Sequence, residues 1–170
     1  MTQNNTDLLK KFQATTEELV KLIERFDSQS FNRKPSEEKW SAAEVAEHLL
    51  LFDIRLNDIL KTATLQTDRD IVEKITAINA RVSDRKNKIE APPFLIPSNK
   101  VQSPEVLSEK IRAERIKICS VIEETDLSLH SKEFPHRLFG ELTVYEWVNL
   151  VDQHTRRHIA QLEELLSLYR

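Results

Sequence analysis

The stretch Thr143-Val-Tyr-Glu-Trp-Val-Asn-Leu-Val-Asp-Gln-His-Thr-Arg-Arg-His-Ile-Ala-Gln-Leu-Glu-Glu-Leu-Leu166 decides the class of fold. It opens with Thr143 and Glu146, three residues apart. That is the capping box in which hydroxyl and carboxylate each satisfy an orphan backbone N–H at a helix start. Trp147, Leu150, Val151, Leu162, Leu165 and Leu166 then return at helical period and predict one long amphipathic helix. The same stripe carries His154 and His158. Four residues apart on a helix, they stack on one face about one turn apart and can converge on one ion.

Outward from this helix, three more segments share the period. One runs from about Thr6 to Phe26 on Leu9, Phe12, Leu19, Ile23 and Phe26. A second opens at Ser41-Ala42-Ala43-Glu44, another capping box, with Trp40 placed to pack on Val45 and a buried face of Val45, Leu49, Phe52, Leu56 and Ile59. A third is announced by Ser103-Pro104-Glu105, an N-cap, a first-turn proline and an acid near the positive end of the helix dipole. Its stripe is Leu107, Ile111, Ile118 and Ile122, ending near Thr125. The connection from Ala63 to Gln102 is long enough to cross the molecule. It holds an expected extra helix from about Asp68 to Lys88, then Ala91-Pro92-Pro93 and Pro97, which exclude regular helix.

Composition agrees with a helical chain. A single glycine and six prolines in 170 residues leave little material for hairpin turns. The net charge of -3, with both signs interspersed, gives no basis for nucleic-acid binding. No apolar run reaches the roughly 18 residues of a membrane span, and Met1 to Asp7 lacks the apolar region of a signal peptide. Cys119, the one cysteine, excludes an internal disulfide and suits a reducing cytosol. The expectation is one all-α, cytoplasmic domain over residues 1–170, with no membrane or nucleic-acid partner.

His48 lies beside Leu49, close to the Val45–Phe52 face. It falls roughly 10 Å from the start of its helix, and His158 roughly 15–18 Å from the end of its own. If those helices run antiparallel, the three rings sit at similar depth; a parallel arrangement is also compatible. Buried histidines can instead bond to backbone carbonyls and be purely structural. Three in one apolar interior each need a partner, however, and one divalent cation satisfies all three. Glu114 falls between Ile111 and Ile118, either facing a histidine or a metal-bound water, or on the surface if the helix phase is one residue off. Arg157 is a surface ion-pair partner or, alternatively, a candidate for holding an acidic substrate group. His130 and His136 fall in the turn around Pro135.

Trp40-Ser41-Ala42-Ala43-Glu44-Val45-Ala46-Glu47-His48-Leu49, the Phe139-Gly140-Glu141-Leu142-Thr143 run ahead of Glu146-Trp147, and His154-Thr155-Arg156-Arg157-His158-Ile159-Ala160-Gln161 together resemble the DinB-like superfamily. Its members include YfiT-type thiol transferases. The resemblance implies a four-helix bundle in up-down-down-up order, with the long connection between its second and third helices. It also implies a divalent-metal site (Zn, Ni, Fe or Mn) on His48, His154 and His158. His136 would lie near the mouth of that site without being a ligand. The activity implied is transfer of a low-molecular-weight thiol to an electrophile. Metal-dependent hydrolysis and a non-catalytic metal- or ligand-binding bundle are the alternatives. A homodimer is a further expectation, with Trp40, Phe31 and Phe139 near the helix ends either supplying an interface or closing one end of the core.

Overall fold

The computed structural model describes residues 3–86 and 90–169. Among the described residues there are six α-helices: α1 (Gln3–Ile23), α2 (Ser28–Asn32), α3 (Ala42–Lys61), α4 (Ile75–Ser83), α5 (Pro104–Glu124) and α6 (Val144–Leu168). A 3-10 turn covers Pro93–Leu95. Backbone pairing outside the helices is confined to isolated bridges, Leu65 with His130, His130 with Thr143 and His136 with Gly140, so no strand forms among the described residues. Gly140 closes the last of these with φ +66°, a conformation that disfavours any side chain.

Both capping boxes form. The Ser41 N–H donates to the Glu44 carboxylate at 2.8 Å while the Glu44 N–H donates back to the Ser41 hydroxyl. Thr143 and Glu146 repeat the exchange at the start of α6. Ser103 caps α5 through the Val106 N–H, with Pro104 in its first turn. α2 was hidden from the sequence pattern; Asp27 caps it by accepting from the N–H groups of Gln29 and Ser30.

The long helices share their apolar faces by halves. One core cluster takes Leu8 and Phe12 from the start of α1, Leu56 and Ile59 from late α3, Ile118 and Ile122 from late α5, and Val148 and Val151 from early α6. The other takes Leu19 and Ile23 from late α1, Val45 and Leu49 from early α3, Leu107 and Ile111 from early α5, and Leu162 and Leu166 from late α6. α1 and α3 each pack on both α5 and α6. No described helix is long and apolar enough to cross a membrane.

The expected helix from Asp68 to Lys88 is shorter in the structure, Ile75–Ser83, and Lys88 lies outside the described residues. Tertiary hydrogen bonding overrides the local period before Ile75. Arg69 makes a bidentate pair with Glu146 at 2.8 and 2.6 Å, and the Lys74 N–H and ammonium bond to Glu146 and to the carbonyls of Phe139 and Glu141. The connection is thereby tied to the first turn of α6. Burial alone would raise the Glu146 pKa, but the Arg69, Thr143 and Lys74 hydrogen bonds outweigh it and hold the carboxyl below its ordinary value. A depressed pKa gives stability that is present above the unfolded value and is lost as pH falls through the folded one. Glu146→Gln keeps a capping acceptor but removes the charge. It should cost about 1.5–3 kcal/mol at pH 7, with the deficit closing as urea titrations are moved below the ordinary carboxyl pKa. A deficit that stays constant into acid would refute the ion pair's role.

Candidate metal centre

α3 and α6 each carry one capped N-terminus, which fixes the rotation of their first turns and so the face on which the histidines stand. His48 is buried on the second turn of α3, and His154 and His158 face it from α6. The His154 Nε2 lies 3.3 Å from the His48 Nε2 and 3.1 Å from the His158 Nε2. One ring nitrogen from each of the three falls within 4.8 Å of the others. Trp40 leans on the His48 ring at a centroid distance of 5.0 Å, and Phe52 meets the His154 ring edge-on at 5.1 Å.

The outer nitrogens determine what the inner ones can do. His48 Nδ1 lies 2.7 Å from the Leu95 carbonyl, which can only accept, so Nδ1 carries the proton and Nε2 presents a lone pair. His158 Nδ1 meets the Gln161 Oε1 at 2.9 Å and is fixed the same way. His154 Nδ1 is buried without a hydrogen-bond partner among the described residues. A proton on His154 Nε2 can point at only one of its two neighbours, so at least one pair of lone pairs stays opposed. A divalent cation removes that opposition by accepting all three. Ligands ~2.0–2.1 Å from one ion are separated by distances of the kind the two Nε2 pairs show. The donor set therefore fits a divalent metal.

Electrostatics keeps the rings neutral, the form that ligates. Burial, then His158 and His48, hold the His154 pKa well below its ordinary value. Burial and His48 bring His158 to about 3, and burial lowers His48.

The other residues singled out by sequence lie elsewhere. Glu114 accepts from Asn57 Nδ2 at 2.8 Å and pairs with Lys117 at 2.6 Å, with no described bond to a histidine. The buried position on that turn belongs to Arg115, one residue on. Arg157 donates to the carbonyls of Val82 and Asp84 at 3.0 and 2.6 Å, fastening the end of α4 to α6. His136 stacks on Phe139 at 4.8 Å and meets the edge of Trp147 at 5.6 Å; burial, aided by Arg137, lowers its pKa to about 4. His130 is held by backbone bridging and by Glu141 at 3.2 Å.

Two supports of the site come from outside the candidate residues. The Leu95 carbonyl acts through the backbone, in the proline-rich segment that excludes regular helix. That segment is anchored to α3 a second time, where Ser98 donates to the Glu47 carboxylate. Gln161 did have a signal, its i,i+3 spacing from His158. Gln161→Ala should weaken zinc binding about 10–100-fold in a competition titration against a chromophoric chelator. Unchanged affinity would remove Gln161 from the site.

A protein of Bacillus subtilis (strain 168), the uncharacterised YuaE, is 28% identical over 144 residues, which cover 84% of this chain and 87% of that protein. No solved structure matches the chain significantly. The family model of the DinB superfamily matches residues 11–162, a span that contains α3, the proline-rich turn and all three converging histidines. The chain belongs to the DinB superfamily.

Proposed function

We propose that this protein is a divalent-metal-dependent enzyme that transfers a low-molecular-weight thiol to an electrophile. Its frame would be a single up-down-down-up four-helix bundle of α1, α3, α5 and α6. The shared core clusters support that order, because early α3 and early α5 meet late α1 and late α6. The observation that carries the functional reading is the convergence of three Nε2 atoms, two of them on rings whose Nδ1 protons are directed outward to the Leu95 carbonyl and the Gln161 amide oxygen.

A cation bound by three neutral imidazoles keeps coordination positions for substrate, and there it favours a thiolate or lowers the pKa of water. The chain's own residues favour the thiol. A metal-bound water that attacks an ester or amide gains from a nearby base to take up its protons. Glu114 is engaged by Asn57 and Lys117, and Asp53 by Arg115. A thiol, with an unperturbed pKa of about 8.5, has much less need of one. Trp40 and Phe52 flank the rings with apolar surface and limit water around the reacting sulfur.

The test is metal analysis of the purified protein, followed by assays of the zinc-, nickel-, iron- and manganese-loaded forms with small thiols and an electrophilic reporter such as 1-chloro-2,4-dinitrobenzene. Metal-dependent thioether formation is the expected result. Turnover of activated esters without thiol would establish hydrolysis instead, and metal binding without either activity a non-catalytic role.

A further inference from the structure

Arg55 lies half-buried on α3, and none of its guanidinium N–H groups donates to a described residue. Arg69, Arg115 and Arg156, by contrast, each meet a carboxylate. Its partners are two aromatic rings, with the guanidinium carbon 4.2 Å from the centroid of Phe134 and 5.6 Å from that of Phe94. Cation–π contact holds the charge in place without using its hydrogen-bond donors, so the planar fork is left available.

Its position relates it to the histidines in two ways. His48, Phe52 and Arg55 stand at i, i+4 and i+7 on α3, one face of the helix, with Arg55 about 10 Å along the axis from His48. Phe52, between them, touches the His154 ring. Phe94 in turn precedes Leu95, whose carbonyl fixes the His48 ring. The cation therefore stands beside the segment that orients the centre, and Phe52, one turn away on the same helix face, touches one of its rings.

We propose that Arg55 anchors the substrate by its carboxylate, and that the substrate class is a carboxylate-bearing thiol or electrophile whose other end reaches the three histidines. This rests on the thiol-transfer reading for the reacting end only. A guanidinium with unused donors matches a carboxylate bidentately, and the ring pair sets the cation in place before the substrate arrives.

Calorimetric titration of zinc-loaded protein with 6-mercaptohexanoate and 6-mercaptohexanol, and with the thiol-free pair heptanoate and heptanol, reads the anchor directly. Wild type should bind each acid about tenfold or more tighter than its alcohol, the scale of a charge-assisted hydrogen bond. Arg55→Ala and Arg55→Gln should lose that preference while keeping zinc stoichiometry and alcohol affinity. A merely structural clamp would not distinguish acid from alcohol. Equal binding of acid and alcohol by wild type, or a preference that survives in both variants, overturns the proposal. If heptanoate is preferred through Arg55 while neither thiol responds to zinc, the anchor stands and thiol transfer falls. If mercaptohexanol binding requires zinc and neither acid gains anything, thiol transfer stands and the anchor falls.

Discussion

His154→Ala should abolish the stabilisation that zinc or nickel gives the wild-type protein. At a hundredfold excess over Kd that stabilisation is about 2.7 kcal/mol, or roughly 5–10 °C for a chain of this length. The size of the effect follows from His154 standing between the other two rings, with its Nε2 within 3.3 Å of both neighbours. Without it, His48 and His158 keep only their edge-on ring contact, at a centroid distance of 5.1 Å, and the third ligand is lost. A histidine kept only for packing gives the opposite pattern in thermal melts, with a less stable metal-free protein and an undiminished response to metal. Thioether-forming activity of the metal-loaded protein should disappear with the same substitution; activity that survives unchanged would end the catalytic reading.

The second large effect is expected in the core. Asp53 and Arg115 are 0% and 1% exposed, and the Arg115 Nε donates to the carboxylate at 2.8 Å. The guanidinium also donates to the hydroxyls of Thr155 at 2.7 Å and Thr16 at 3.4 Å, and lies over the Phe12 ring. One buried cation thus ties together α1, α3, α5 and α6. Burial pushes the Asp53 pKa up against the pull of Arg115, so the pair is held at the expense of desolvation. Asp53→Ala leaves Arg115 without its counter-charge and should cost about 3–5 kcal/mol, roughly 10 °C in melting temperature. The double replacement Asp53→Leu with Arg115→Met removes both charges and should recover most of that loss. A single substitution costing under about 1 kcal/mol would show that water or a shifted side chain compensates the guanidinium.

The same pair marks where the sequence pattern stopped being legible. Positions 114 and 115 both continue a stripe from Ile111, by i+3 and i+4, so periodicity alone could not say which residue enters the core. Arg115 does, because Asp53, Thr16 and Thr155 supply its partners from three other helices, and none of those contacts is local. The capping boxes at Ser41 and Thr143 were readable because both halves lie within four residues. The histidines on α6 were readable for the same reason, and His48 by its place beside an apolar face. The start of α4 was not, since Arg69 and Lys74 are drawn to Glu146, more than seventy residues away. The Leu95 carbonyl left no side-chain signature at all.

The central claim is that the Nε2 atoms of His48, His154 and His158 hold one divalent cation. Long-range 1H–15N NMR of the imidazole rings during zinc titration tests it most directly. With one equivalent of zinc, the account predicts that the Nε2 resonances of these three histidines move to metal-bound values while each Nδ1 keeps its proton, and that His130 and His136 stay unchanged. Rings that remain unperturbed at saturating zinc, or ligation through Nδ1 or through His130 or His136, would contradict it.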